Sequence, residues 1–217
     1  MRMKPTKWKN QFGEGNIGDK PYSKYSKKLL GGTAGLTHTA KKIVDLFPDM
    51  KHYDYFVEPF AGKARTAKIL MDRGEPLKFV LNDISENVNE YCRDVLMGKC
   101  MRDPIIENKS FEQTIEDYDS RRTFFLIDPP WRQMLYKNNS FFECDRTIPQ
   151  YYRKLVNEIL PSIEGDWFIT FNADEHECRG VLTKSIYATK IVTSGKKHIF
   201  GKEARTLVAS NLWDEEK

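Results

Sequence analysis

The chain has 217 residues, of which 40% are hydrophobic, and a formal net charge of +4. That is enough for one ordinary domain with a real core, and no stretch approaches the roughly 18 apolar residues that a membrane span needs, so a soluble protein without a membrane partner is expected. Cys92, Cys100, Cys144 and Cys178 form no Cys-x-x-Cys pair, and His38, His52, His176 and His198 have no ligand spacing, so no metal site is expected.

In chain order, the first 28 residues are basic, with Arg2, Lys4, Lys7, Lys9, Lys20, Lys24, Lys27 and Lys28 against Glu14 and Asp19. Trp8, Phe12, Tyr22 and Tyr25 are interleaved with them, a composition suited to phosphate contact and base stacking, and equally to a solvated terminus. Residues 1–28 are read as a basic, partly flexible arm, and residues 29–217 as one domain. Met1 to Thr6 lacks the apolar segment of a secretory signal, which with scattered thiols points to the cytoplasm, or to a host cell's cytoplasm for a phage-encoded chain.

Strands and helices then alternate. Lys41 to Phe47 has helical spacing, Tyr55 to Val57 reads as a short buried strand, Ala64 to Arg73 as helix and Phe79 to Leu81 as strand. Asn87 to Leu96 is predicted helical, Ile105-Ile106 a short strand, Phe111 to Tyr118 a helix and Phe124 to Ile127 a strand. After the irregular polar stretch 132–147, Pro149 to Leu160 is predicted as helix, Trp167 to Phe171 as strand and Glu175 to Leu182 as helix. Ile186 to Val192 and Thr206 to Ala209 are predicted to close the chain as a hairpin around a basic, Gly-containing loop with Lys190, Lys196, Lys197, His198 and Lys202. Such alternation implies an α/β fold with a mostly parallel, doubly wound sheet, to which the hairpin adds an antiparallel strand.

Three strand exits carry chemistry. Glu58-Pro59-Phe60-Ala61-Gly62 turns from strand to helix through small residues, which lets backbone approach a nucleoside at a helix N-terminus. Asn82-Asp83 ends the next strand with a carboxylate suited to two ribose hydroxyls. Asp128-Pro129-Pro130-Trp131 follows the apolar run Thr123 to Ile127. The exocyclic amine of adenine or cytosine is a poor nucleophile, because its lone pair is delocalised into the ring. A carboxylate and the next residue's carbonyl, accepting both amine hydrogens, pull that lone pair back. The prolines bring no competing donors and fix φ, and Trp131 offers a face for an extruded base, worth about 1 to 3 kcal/mol per base. The tetrapeptide also reads as a plain strand stop with Trp131 capping the core. Tyr136, Asn138, Asn139, Phe141 and Phe142 follow in a segment that could close over a base or be an ordinary surface loop.

These three motifs, in this order, resemble the Dam-type adenine-N6 DNA methyltransferases, over a span from about Leu29 to Asn211. The resemblance implies a Rossmann-like, class I S-adenosylmethionine-dependent methyltransferase fold with a seven-stranded sheet. It implies that Glu58, Pro59, Phe60, Ala61 and Gly62 line the methionine part of S-adenosylmethionine and that Asp83 holds its ribose, with Ile84 also a cofactor contact. Ser110 and Phe111 would touch its adenine, Gly31 and Gly32 would make a close turn beside it, and Asp128 would adjoin both cofactor and base. Asp128, Pro129, Pro130 and Trp131 become the catalytic set, acting by base flipping and direct methyl transfer. Lys24, Lys27, Lys28, Tyr136, Asn138, Lys196 and Lys197 are candidate nucleic-acid contacts.

The chain departs from the family in three places. Ala64 stands where a second glycine is usual, and Leu29-Leu30-Gly31-Gly32-Thr33 replaces Trp-x-Gly-Gly-Lys. About 44 residues separate Asp83 from Asp128, too few for an inserted target-recognition domain. The expectation is therefore relaxed specificity on DNA, or specificity supplied by the arm, the 132–147 stretch, a partner or a second copy. Methylation of RNA or of the cytosine amine, and a non-catalytic nucleic-acid-binding module on the same fold, are the alternatives.

Overall fold

The computed structural model describes residues 7–10, 13–16, 39–98, 102–129, 154–172, 187–197 and 203–213. In the basic arm, β1 (Lys7–Asn10) and β2 (Gly13–Asn16) pair antiparallel, Lys7 opposite Asn16 and Asn10 opposite Gly13. Its polar, glycine-bearing composition disfavours strand, so this pairing was not legible locally.

Seven further strands make one sheet: β3 (Tyr55–Glu58), β4 (Lys78–Asn82), β5 (Ile105–Glu107), β6 (Thr123–Ile127), β7 (Asp166–Asn172), β8 (Thr189–Lys197) and β9 (Glu203–Ser210). Their order across the sheet is β5-β4-β3-β6-β7-β9-β8. The first five are mutually parallel, and β9 runs antiparallel to both β7 and β8. The sheet is thus mostly parallel with an antiparallel closing hairpin, as the alternation implies.

The apolar runs are continuous because the central strands are covered on both faces. On one face α1 (Ala40–Val44), α2 (Arg65–Asp72) and α3 (Glu86–Leu96) pack Ile43, Ala67, Leu70, Val88 and Cys92 against Phe56, Leu81, Phe124 and Phe168. On the other, Phe111 and Ile115 of α4 (Phe111–Tyr118), with Leu155 and Leu160, meet Val57, Val80, Phe125, Ile127 and Ile169. Successive strand residues serve opposite faces, the period of two that sorts every side chain near the site.

Several boundaries differ from the sequence reading, each for a physical reason. The helix from Lys41 stops at Val44, because Pro48 disfavours helical geometry at Phe47. Phe47 turns inward and packs 4.7 Å from Phe124 and 5.2 Å from Phe168, centroid to centroid. The described end of the Pro149 to Leu160 helix is a π-helical turn, Leu155–Ile159, followed by a 3₁₀ turn, Leu160–Ser162, where Pro161 brings no amide to continue the ladder. The closing strands begin at Thr189 rather than Ile186 and extend to Lys197 and from Glu203, with an irregularity between Thr193 and Lys197. The helix expected over Glu175 to Leu182 lies outside the described residues.

Candidate active-site crevice

From β3 the chain winds outward through β4 to β5, then returns to lay β6 on the other side of β3 and continues to β7. The strand order therefore reverses between β3 and β6, and in such sheets the crevice beyond the carboxyl ends at that point takes ligands. Glu58 ends β3, Asp83 follows β4 and Asp128 follows β6. Counting in twos from Phe56, Leu81 and Leu126, which share one face of the sheet, brings Glu58, Asp83 and Asp128 to that same side.

The turn after Glu58 is held by backbone bonds and by one carboxylate. Ala61 N donates to Asn82 O at 2.7 Å, Ala64 N to Ala61 O at 2.7 Å and Gly62 N to Asp83 Oδ2 at 3.1 Å. Gly62 has φ 51°, and Ala64 is left-handed too, at φ 47°, where a Cβ costs about 1 to 2 kcal/mol. This explains the glycine usual at Ala64. Here the alanine methyl is tolerated by burial, at 1% exposure in the core. Ala64 is also the N-cap of α2 and offers no side-chain acceptor. Glu58 substitutes for it from the neighbouring strand, its Oε1 accepting from Ala67 N at 3.1 Å. Glu58 is 3% exposed, and among the described residues its Oε2 is buried without a partner.

Asparagines tie the strand exits together, and their importance escapes a reading based on charge and motif. Asn82 Nδ2 donates to Pro59 O at 3.0 Å and Lys109 O at 3.1 Å, while its Oδ1 accepts from Lys109 N at 2.8 Å. Asp83 O accepts from Asn89 Nδ2 and Asn108 Nδ2, both at 2.8 Å, and Asn108 also donates to Ile84 O at 3.0 Å. The available signal was an asparagine, a strong local hydrogen bonder, at the end of an apolar strand.

The electrostatics separate the two ends of the sheet. At the amino ends acids have partners: Asp54 takes a two-pronged ion pair from Arg122 at 2.7 and 2.8 Å, and Asp166 Oδ2 accepts from Tyr53 OH at 2.6 Å. At the carboxyl ends, none of Glu58, Asp83 and Asp128 pairs with a cation among the described residues. Burial pushes Glu58 up to about 8 against the Ala67 amide, and the charge of Asp128 adds to the rise. Burial likewise raises Asp83 to about 6, opposed by the Ser85 and Gly62 amides, and Asp128 to about 7, opposed by Thr170, whose Oγ1 donates to Asp128 Oδ1. The Cys92 thiol, also pushed up by burial and then by Glu58 and Asp83, donates to Gly62 O at 3.5 Å. These carboxyls are desolvated and, among the described residues, unpaired with a cation, so a positively charged ligand that favours their ionised forms suits the crevice.

The other sequence candidates fall into distinct places. Pro59, Ala61 and Pro129 are buried, and Ile84 is 56% exposed, a large apolar side chain beside Asp83. Phe111 stacks on Phe60 with centroids 5.0 Å apart and planes at 26°. Ser110 caps α4, its hydroxyl accepting from Gln113 N at 3.2 Å. Lys196 and Lys197 lie on β8 in the irregular stretch. Gly31, Gly32, Lys24, Lys27, Lys28, Pro130, Trp131, Tyr136 and Asn138 lie outside the described residues.

No protein-family model matches the chain, and no curated protein matches it. Solved structures do. TrmN from Thermus thermophilus superposes with TM-score 0.52 at 14% identity, covering 80% of this chain and 47% of that one. Atu636 from Agrobacterium tumefaciens, described as a predicted O-methyltransferase, gives TM-score 0.52 at 13% identity over 79% of each chain. The fold is that of the class I, Rossmann-like methyltransferases. Sp1610 from Streptococcus pneumoniae, described as a candidate tRNA (m1A22) methyltransferase and solved in complex with S-adenosyl-L-methionine, is similar at TM-score 0.49 and 11% identity, over 78% of this chain and 70% of that one. This chain spans about half the length of TrmN. The similarity identifies a methyltransferase fold and does not single out the Dam-type DNA enzymes.

Proposed function

We propose that the chain is an S-adenosylmethionine-dependent methyltransferase acting on the exocyclic amine of adenine in DNA. The observation that carries this reading is the meeting, on adjacent strands β3 and β6 at the switch point, of the Glu58 to Gly62 turn and Asp128-Pro129. The residues fit the cofactor chemically: a sulfonium and an ammonium suit a crevice whose three carboxyls have no cation among the described residues, one of them with an orphaned buried oxygen. Glu58 and Gly62 would hold the methionine part, Asp83 and Ile84 the ribose, and Phe111 the adenine.

The cofactor would supply an electrophilic methyl group. The chain's own residues would do the rest. Asp128 and the carbonyl of Pro129 accept the two amine hydrogens and keep the nitrogen lone pair out of the ring. Trp131, outside the described residues, would stack the flipped base, and the rate would come from positioning and pre-set electrostatics. Asp128→Ala is expected to abolish transfer of labelled methyl to DNA while calorimetry shows S-adenosylmethionine affinity within about threefold of wild type. Wild-type-like turnover by that variant would refute the assignment.

One observation favours RNA as a second substrate class: the segment between Asp83 and Asp128 is filled by α3, β5 and α4, with no inserted domain to read a DNA sequence. Sequence choice would then be relaxed, or supplied by the basic arm, the 132–147 stretch, a partner or a second copy. Competing duplex DNA against structured RNA in one methylation assay separates the two, because RNA preference would appear as label recovered in RNA.

A further inference from the structure

Thr170 is fully buried in β7, between Ile169 and Phe171 in a strand whose Trp167, Phe168, Ile169 and Phe171 build the core. A valine would fill the same space without a hydroxyl to satisfy, and a buried hydroxyl costs stability unless bonded. Among the described residues the hydroxyl has one partner. In the parallel pairing of β6 with β7, Ile127 lies opposite Ile169, so the next residues along, Asp128 and Thr170, stand level, and Thr170 Oγ1 donates to Asp128 Oδ1.

We propose that Thr170 is a positioning residue for methyl transfer: by occupying Oδ1 it fixes the Asp128 carboxyl so that Oδ2 and the Pro129 carbonyl are the two acceptors presented to the substrate amine. The inference rests on the function proposed above and specifies how its key acid is aimed. A carboxyl free to rotate presents its oxygens in a spread of orientations, whereas an amine held by two acceptors needs both at fixed places. The hydroxyl also favours the ionised form, the form able to accept, against the desolvation that raises Asp128. The ionisable group facing Asp128 from β3 is Glu58, and the charge on Asp128 raises it in turn. β7 presents Thr170 itself.

The test uses the full chain with wild type, Thr170→Val and Thr170→Ser, each measured for S-adenosylmethionine binding, thermal midpoint, and kcat and KM for nucleic acid from pH 5.5 to 9. Thr170→Val is expected to fold and bind cofactor within about twofold of wild type. Its kcat should drop on the order of tenfold with KM nearly unchanged, and the acid limb of its kcat profile should move to higher pH. Thr170→Ser should restore both rate and profile, an outcome that a purely packing role would not produce. A Thr170→Val enzyme with wild-type kcat and an unmoved acid limb overturns the assignment. A wild-type protein that binds S-adenosylmethionine but methylates neither DNA nor RNA, or does not bind it at all, overturns the functional reading and this inference with it.

Discussion

Glu58 serves the fold and the crevice at once. Its Oε1 caps α2, replacing what Ala64 cannot offer, and its Oε2 is left without a partner among the described residues. The linkage sign follows from the raised value of about 8 against an ordinary 4.5: between those values the native state binds more protons than the unfolded one, so stability is full below about pH 4.5 and declines as pH rises towards 8. Asp83 and Asp128, raised to about 6 and about 7, add the same sign over narrower windows. Thermal midpoints taken from pH 5 to 8.5 should therefore fall with rising pH. Glu58→Gln, which keeps an acceptor for Ala67 N and removes the charge, should flatten the slope, and equal slopes in the two proteins would contradict the account. Ala64→Gly is expected to shift unfolding free energy by under about 1 kcal/mol, since relief of left-handed strain is offset by a lost buried methyl and a looser unfolded chain. Denaturant titration measures that change. Of the residues that matter here, the charged ones were legible as motif members. Asn82 and Thr170 were not, because their roles are bonds to groups brought near only by strand order.

At the scale of elements, α4 has the ends that its apolar spacing announces, and the cores of the parallel strands coincide with the apolar runs. The entry to β7 shows what spacing does not reveal. A Cβ on Gly165 would lie 2.7 Å from Thr123 O and 2.8 Å from Ser120 O, and Thr123 is locked beside Tyr55 in the sheet. Backbone at that distance must shift. Gly165→Ala should therefore lose about 1 to 3 kcal/mol in chemical denaturation. Because the clash lies at the amino end of β7, the folded fraction should keep its S-adenosylmethionine affinity. The β8–β9 pair ran longer than its apolar stretches, since each strand's ladder is extended by its partner, and cross-strand bonding carries no mark in either segment alone.

For the whole molecule, the three raised carboxyls, none paired with a cation among the described residues, imply that ionising them in the folded state carries a cost, and that a cationic ligand relieves it. Saturation with S-adenosylmethionine at about 100 times its Kd should add about 2.7 kcal/mol, which for a chain of this size raises the thermal midpoint by roughly 5 to 10 °C. At that same cofactor concentration, raising the pH towards 8, where more of the acid set is ionised, should tighten binding and enlarge the shift. A midpoint indifferent to the cofactor at every pH would count against the proposed site. Scanning calorimetry with and without cofactor at pH 6 and pH 8 gives both comparisons.

The sequence by itself determined the alternation of strands and helices, the acid at each of three strand exits, and the small-residue turn, because these depend on local periodicity and on backbone rules acting within a few residues. Only the tertiary structure decided that β6 lies beside β3, so that the charge on Asp128 raises Glu58 across 70 residues of chain. It also decided that Thr170 meets Asp128 and that Asn82 joins the exits of β3, β4 and β5. Parallel pairing is non-local: the contacts that order the strands are made by residues whose neighbours in the chain carry no trace of the partner.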